Sequence, residues 1–241
     1  MGMPITIEII DASAKKPDLD MIFDYFRSID QKFSVYKNDS EITKINKGLI
    51  KPKEYSQDMK TVFKLCQQTK KETNGYFDIK HHGKIDPSGL VKGWAINNAA
   101  LMLKKDFANF YIEAGGDIQS WGHNSQEKPW LVGIRNPFNI QQIVKIVTLS
   151  GNAIATSGTY FRGQHVYNPK KPDRPLTQVV SLSVIGPNIY EADRFATAAF
   201  AMGLDGIKFI ETLEGFEGYQ IDNQGQALFT SQFTKFTPPQ C

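Results

Sequence analysis

Cysteine is scarce in this chain. Cys66 and the terminal Cys241 are the two in 241 residues, which excludes a disulfide framework and a cysteine metal knuckle. Met1 to Ile10 contains no basic stretch followed by an apolar run, so no signal peptide is expected. The expected compartment is therefore the cytoplasm, unless an export segment has been removed. No apolar run is long enough to span a bilayer, so no membrane insertion is expected. Strong charge of one sign is also missing. The formal net charge is only +3, and Lys15-Lys16, Lys70-Lys71 and Lys170-Lys171 are scattered as solvated surface. No basic stripe marks a nucleic-acid partner. Repeats, low-complexity segments and a strong linker are all absent, so residues 1–241 are expected to form one domain.

What is present is a mixture of helical and extended patterns. Ile5, Ile7 and Ile9 alternate with Thr6 and Glu8 as in a strand. Lys15 to Pro17 reads as a turn, and Asp18 as the N-cap of a helix carrying Leu19, Ile22, Phe23, Phe26 and Ile29. Phe33 to Tyr36 looks extended. Ser40 caps a short helix that ends at Asn46-Lys47-Gly48, and Ser56 caps another with Met59, Val62, Phe63 and Cys66 on its apolar face. Asn74-Gly75 closes that helix, and Tyr76 to Ile79 reads as a short extended piece.

After residue 105 strands dominate. They are expected at Phe110–Ile112, Trp130–Ile134, Val144–Leu149, Ala153–Thr156 and Gln178–Ile185. Ser150-Gly151-Asn152 reads as a hairpin turn between the third and fourth of these. Helices over Glu191–Met202 and around Ile207–Leu213 follow, then a hairpin around Asn223-Gln224-Gly225. There is no regular βαβ rhythm. The expected class is α+β, a largely antiparallel mixed sheet flanked by helices.

The stretch Ile85-Asp86-Pro87-Ser88-Gly89-Leu90-Val91-Lys92-Gly93-Trp94-Ala95 reads as a tight loop feeding a helix. Pro87 suits a helix start, and Ser88 can accept from the first free amides. Gly89 and Gly93 allow close approach to the backbone. With Lys92 one turn in, the loop favours an anion, above all a phosphate. Taken alone, an ordinary capped helix with a packing glycine accounts for the stretch more simply.

Other candidates are weak one at a time. Asp193 and Thr197 lie four apart and share a helix face. A carboxylate and a hydroxyl there suit a hard cation such as magnesium, although spacing alone favours a helix-start aspartate and a packed threonine. His165 is the best general-base candidate because glycine and proline bracket it in a structured loop. Gly115-Gly116-Asp117 is either a tight turn or a close approach to a ligand. Thr156-Ser157-Gly158 offers hydroxyls and amides at a strand end. Tyr36, Tyr76, Phe77 and Trp94 could stack on a flat ring, though aromatics so placed are more often core.

In order along the chain, these pieces resemble one family: the FAD:protein FMN transferases, or ApbE-type flavin transferases. The matching blocks are Phe33-Ser34-Val35-Tyr36, Asp39-Ser40-Glu41-Ile42 with Asn46, and Asn74-Gly75-Tyr76-Phe77-Asp78. Then come Asp86 to Ala95, Glu113 to Ile118, Trp130 to Pro137 and Ala155 to Tyr160. His165 to Pro169 and Ala192-Asp193 through Thr197 to Gly203 complete the set. The block at His165 reads His-Val-Tyr-Asn-Pro and lacks the family's aspartate, leaving Tyr167 or Asn168 as a substitute.

The resemblance implies that FAD is bound with Mg²⁺ on its pyrophosphate. A threonine or serine hydroxyl of a partner flavoprotein attacks the phosphorus on the riboflavin side, and AMP leaves. It also implies Asp193, Thr197 and the Gly89 carbonyl as metal ligands. Tyr36, Tyr76, Phe77, Asp78, Asp86, Lys92, Gly115, Gly116, Thr156, Ser157 and Val166 would contact FAD, and His165 would be the base. Two alternatives stay open. An FAD diphosphatase would release FMN and AMP without an acceptor, and a non-catalytic FAD-binding protein would keep FAD intact.

Overall fold

The computed structural model describes residues 2–159 and 166–238. The chain begins with β1 (Ile5–Ile9), then α1 (Lys16–Phe33), α2 (Glu41–Asn46) and α3 (Gln57–Glu72). A two-stranded ladder, β2 (Lys80–His81) and β3 (Lys84–Ile85), leads into α4 (Ser88–Leu103). Five strands follow: β4 (Phe110–Ala114), β5 (Asp117–Trp121), β6 (Trp130–Asn136), β7 (Asn139–Leu149) and β8 (Ala153–Gly158). The last elements are β9 (Val179–Gly186), α5 (Ile189–Met202), α6 (Gly206–Glu211), β10 (Glu217–Asp222) and β11 (Ala227–Phe229).

The main sheet has seven strands in the order β1-β4-β5-β8-β9-β10-β11, and β6 pairs with β7 apart from it. Every pairing among the described residues is antiparallel. The α+β architecture expected from the pattern is thus present. Two helices cover one face of the sheet: α5 lies on β8 and β9, and α4 lies beside α5 and reaches β4 and β5. Both are largely buried. Leu90, Trp94, Ala95, Ile96 and Ala99 of α4 are buried, as are Ala192, Phe195, Ala196, Ala199 and Phe200 of α5. A helix buried on all sides belongs at the centre of a core. The amphipathic α1 closes over α4 with Ile22, Phe26, Ile29 and Phe33.

Several local expectations need correction. Helix α1 starts at Lys16, with Pro17 inside its first turn, so 15–17 is not a separate turn. Asp18 sits in that first turn, where its Oδ2 accepts from the Lys15 amide at 2.8 Å. Phe33 ends α1 and residues 34–36 form a turn rather than a strand. Ser88 is the first residue of α4, not its cap. Its own amide is taken by Asp86 Oδ1 at 2.9 Å. The Ser150-Gly151-Asn152 turn reverses the chain, but β7 and β8 do not pair. Strand β7 bonds to β6, whereas β8 enters the main sheet between β5 and β9.

Candidate functional site

The caps read from sequence hold the segments around the site. Ser40 Oγ accepts from the Thr43 amide at 3.1 Å and Ser56 Oγ from the Met59 amide at 3.2 Å. After α3 the chain reverses through Asn74 and Gly75, both with positive φ, at 50° and 80°. Positive φ suits exactly these residue types. The reversal delivers Tyr76, Phe77 and Asp78 to the rim of a large cavity. Asn46 then ties the next loop down, donating from Nδ2 to the Ile85 carbonyl (2.9 Å) and accepting at Oδ1 from the Ile85 amide (2.8 Å).

The cavity holds about 1000 Å³ and runs from Tyr36 on one side to Asp193 and Thr197 on the other. That is the upper end of the usual size for a small-molecule site. Tyr36, Tyr76, Phe77, Asp78, Asp86, Gly89, Lys92, Thr156, Ser157, Val166, Asp193 and Thr197 all line it. Residues that the sequence scatters over more than 150 positions therefore meet in one concavity. Tyr36 is 94% exposed and stands at the mouth, whereas Phe77 is buried in the wall. Lys170 Nζ lies 4.0 Å from the centre of the Tyr76 ring. Trp94 packs edge-on against Phe33 in the core and is not among the lining residues.

At the floor, α4 and α5 come unusually close. Gly93 donates its amide to Asp193 Oδ2 at 2.7 Å, and Thr197 Oγ1 donates to the Gly89 carbonyl at 3.2 Å. Glycine is needed at 93 and gives room at 89. A Cβ at 93 would lie 2.6 Å from Asp193 Cβ and 2.6 Å from the Ile189 carbonyl. A Cβ at 89 would lie 3.1 Å from Thr197 Cγ2. The two glycines keep room for the two polar side chains of α5.

The Asp193 carboxylate is almost completely buried. Burial pushes its pKa up, to about 7, against the pull of the Lys92 ammonium, and the neighbouring Asp117 carboxylate adds to the rise. The two buried carboxylates, Asp193 and Asp117, share one ammonium, that of Lys92. The oxygens gathered here, from Asp193, Thr197 and the Gly89 carbonyl, are the hard donors that Mg²⁺ takes. Among the described residues no three His, Cys, Asp or Glu side chains converge. A cation at this floor would thus depend on a hydroxyl, a backbone carbonyl and oxygens of the ligand itself, and on those terms the residues fit.

Other candidates are engaged differently from expectation. Lys92 points to carboxylates, its Nζ 2.7 Å from Asp117 Oδ2 and 3.5 Å from Asp193 Oδ1. Asp78 pairs with Lys70 at 2.5 Å, and that partner and the Lys80 amide outweigh burial to hold its carboxyl below the usual range. Asp86 caps the start of α4 from the cavity side. A carboxylate already at a helix start leaves less room for a bare phosphate there.

Gly115 and Gly116 are not among the cavity lining residues. They form the β4–β5 turn with φ of 61° and 93°, as a two-residue hairpin with a primed turn requires. What that turn delivers is Asp117, fully buried, with Oδ1 accepting from the Thr156 amide at 3.1 Å. In the Gly115-Gly116-Asp117 stretch it is the aspartate, not the glycine pair, that reaches the site residues. Its signal was present, since a carboxylate directly after a glycine pair is placed with little freedom. Tyr167 donates its hydroxyl to the Asp78 carbonyl at 2.8 Å, and its ring stacks on His81. His165 lies outside the described residues, as does Cys241.

The ApbE family model matches residues 1–82 and 79–219. A protein from Salmonella typhimurium named FAD:protein FMN transferase is 31% identical over 163 residues, which is 63% of this chain and 46% of that protein. The Escherichia coli K12 protein of the same name is 30% identical over the same shares. The chain thus spans about half the length of the curated relatives it matches. Among solved structures, the flavin transferase ApbE from Vibrio cholerae superposes with a TM-score of 0.83 at 23% identity, covering 98% of this chain and 96% of that one. The ApbE protein from Thermotoga maritima gives 0.82 at 21%, covering 98% and 99%. Sharing the fold of these structures and matched by the family model over most of its length, the chain belongs to the ApbE family.

Proposed function

We propose that this chain is an FAD:protein FMN transferase, moving FMN from FAD onto a threonine or serine hydroxyl of a partner flavoprotein and releasing AMP. The observation that carries the reading is the convergence of Gly89, Asp193 and Thr197 at the floor of one dinucleotide-sized cavity. The names of the matched relatives point the same way.

In this reading the Asp193 carboxylate, the Thr197 hydroxyl and the Gly89 carbonyl hold Mg²⁺. When bound, the ion supplies positive charge against that developing on the pyrophosphate. The rest of the work falls to the chain. Gly93 fixes the Asp193 carboxylate by its amide, so the ligand oxygen is oriented before substrate arrives. Tyr76 and Phe77, with Tyr36 at the mouth, hold the flat rings of FAD. Thr156 and Ser157, at the end of β8, face the polar part of the dinucleotide. Asp78 and Asp86 and the segment at Val166 set the remaining wall. The acceptor hydroxyl enters from the open side and attacks the phosphorus on the FMN side. Its proton passes to His165, the bond to AMP breaks, and AMP carries away the pair of electrons.

The test is to incubate the full chain with FAD, Mg²⁺ and a protein extract of the source cells. The products are read by in-gel flavin fluorescence under denaturing conditions, AMP analysis and peptide mass spectrometry. Transfer predicts AMP together with a flavin-bearing threonine or serine peptide, both lost in Asp193→Asn. AMP and free FMN without any adduct would indicate hydrolysis instead. FAD held intact for hours would indicate a carrier.

A further inference from the structure

Lys92, Asp117 and Asp193 come from three elements, α4, β5 and α5, and meet at the cavity floor, with Lys92 and Asp193 in its lining. Neither carboxylate is free to swing. Asp117 is held through Oδ1 by the Thr156 amide and Asp193 through Oδ2 by the Gly93 amide. Each presents its other oxygen to the Lys92 ammonium, at 2.7 Å and 3.5 Å. The shorter contact is to Asp117, which is fully buried and at the deep end of the lysine. An ammonium between two buried carboxylates is held by attraction that water screens little.

We propose that Asp117 and Asp193 share the Lys92 ammonium, which makes it a built-in competitor of the divalent cation at Asp193, with Asp117 drawing part of its charge away. The proposal rests on the metal reading given above and adds to it. With Lys92 in place, Asp193 already has a positive neighbour, so a dication entering alone meets repulsion from the ammonium and gains less from the carboxylate. The pyrophosphate of a nucleotide adds negative charge on the cavity side and removes that disadvantage. The cation then enters with the dinucleotide rather than before it, and the empty enzyme holds metal weakly.

The measurement is Mn²⁺ binding to the full chain without nucleotide, followed by the loss of the free-ion electron paramagnetic resonance signal. Lys92→Met keeps the unbranched apolar stem and removes the charge, and it should bind Mn²⁺ about tenfold more tightly than the parent. Asp117→Asn removes a negative charge and leaves Lys92 to Asp193 alone, so it should bind about tenfold more weakly. Opposite signs are the signature, because a purely structural role would weaken binding in both variants. Thermal unfolding of each variant checks folding. Should Lys92→Met not fold, Lys92→Gln takes its place with the same expected direction. Weaker or unchanged Mn²⁺ affinity on removing the Lys92 charge overturns the proposal. Asp193→Asn separates the two ideas. If it leaves Mn²⁺ binding untouched, the metal site itself is elsewhere, and the inference falls with it.

Discussion

The backbone amide of Gly93 points at the side chain of Asp193, 2.7 Å away across a hundred residues of sequence. That contact joins α4 to α5 and fixes one oxygen of the most deeply buried carboxylate in the cavity. Gly93→Ala would place a methyl 2.6 Å from both Asp193 Cβ and the Ile189 carbonyl. Both neighbours lie on a packed helix and cannot retreat. We expect a loss of about 2–3 kcal/mol from overpacking and the disturbed hydrogen bond, measured by urea unfolding. Unchanged stability would mean that the two helices slide apart more easily than their packing implies.

Thr197 offers a cleaner probe of the floor. Thr197→Val keeps the shape and removes the hydroxyl that donates to the Gly89 carbonyl at 3.2 Å. Stability should fall by only about 1 kcal/mol, whereas AMP release from FAD should drop by more than about tenfold if the hydroxyl also holds the cation. Thr197→Ser should restore most of the rate. Equal rates in the valine variant and the parent would remove Thr197 from the site.

The far side of α5 carries an independent pH prediction. Arg194 is buried and bonds Glu191 at 2.8 Å through Nε, together with Glu72 of α3. For Glu72, burial raises the pKa, but the Arg194 hydrogen bond outweighs it and the net position is below 4.5. The folded value is the lower one. The pair therefore stabilises fully above the unfolded glutamate pKa, and that contribution is lost as pH falls through the folded value. Glu72→Gln should lower stability near neutrality and flatten its decline in acid. Parallel stability-against-pH curves for parent and variant would contradict the assignment.

Cys66 should be chemically silent. It lies in the core on α3, and burial pushes its thiol up to about 12. Iodoacetamide at mildly alkaline pH should leave the Cys66 peptide unmodified in the native chain and alkylate it fully in urea, as read by mass spectrometry. Rapid native labelling would show that α3 opens.

Most of the local structure could be read from residue chemistry. The serine caps at 40 and 56, the Asn74-Gly75 reversal and the alanine-rich α5 all lie where their side chains suggest, because each depends on neighbours within a turn. Beyond local slips at residues 15–17, 34–36 and Ser88, what failed depended on distant partners. The turn at residues 150–152 reverses the chain, but whether flanking strands bond is decided by what else competes for their edges. Here β6 and the main sheet took them. Lys92 looked like a phosphate ligand because nothing nearby in sequence accounts for its charge. Its partners, Asp117 and Asp193, lie on other elements. Spacing made Asp193 and Thr197 only a weak candidate, since four-residue spacing on a helix is common, the resemblance strengthened it, and their meeting with Gly89 is a property of the fold.

The most direct test is a crystal structure of the full chain with FAD and Mg²⁺. The account predicts one cation touching the Asp193 carboxylate, the Thr197 hydroxyl, the Gly89 carbonyl and the pyrophosphate of an FAD lying in the cavity. FAD bound with its pyrophosphate away from α5, or bound with no cation at Asp193, would contradict it.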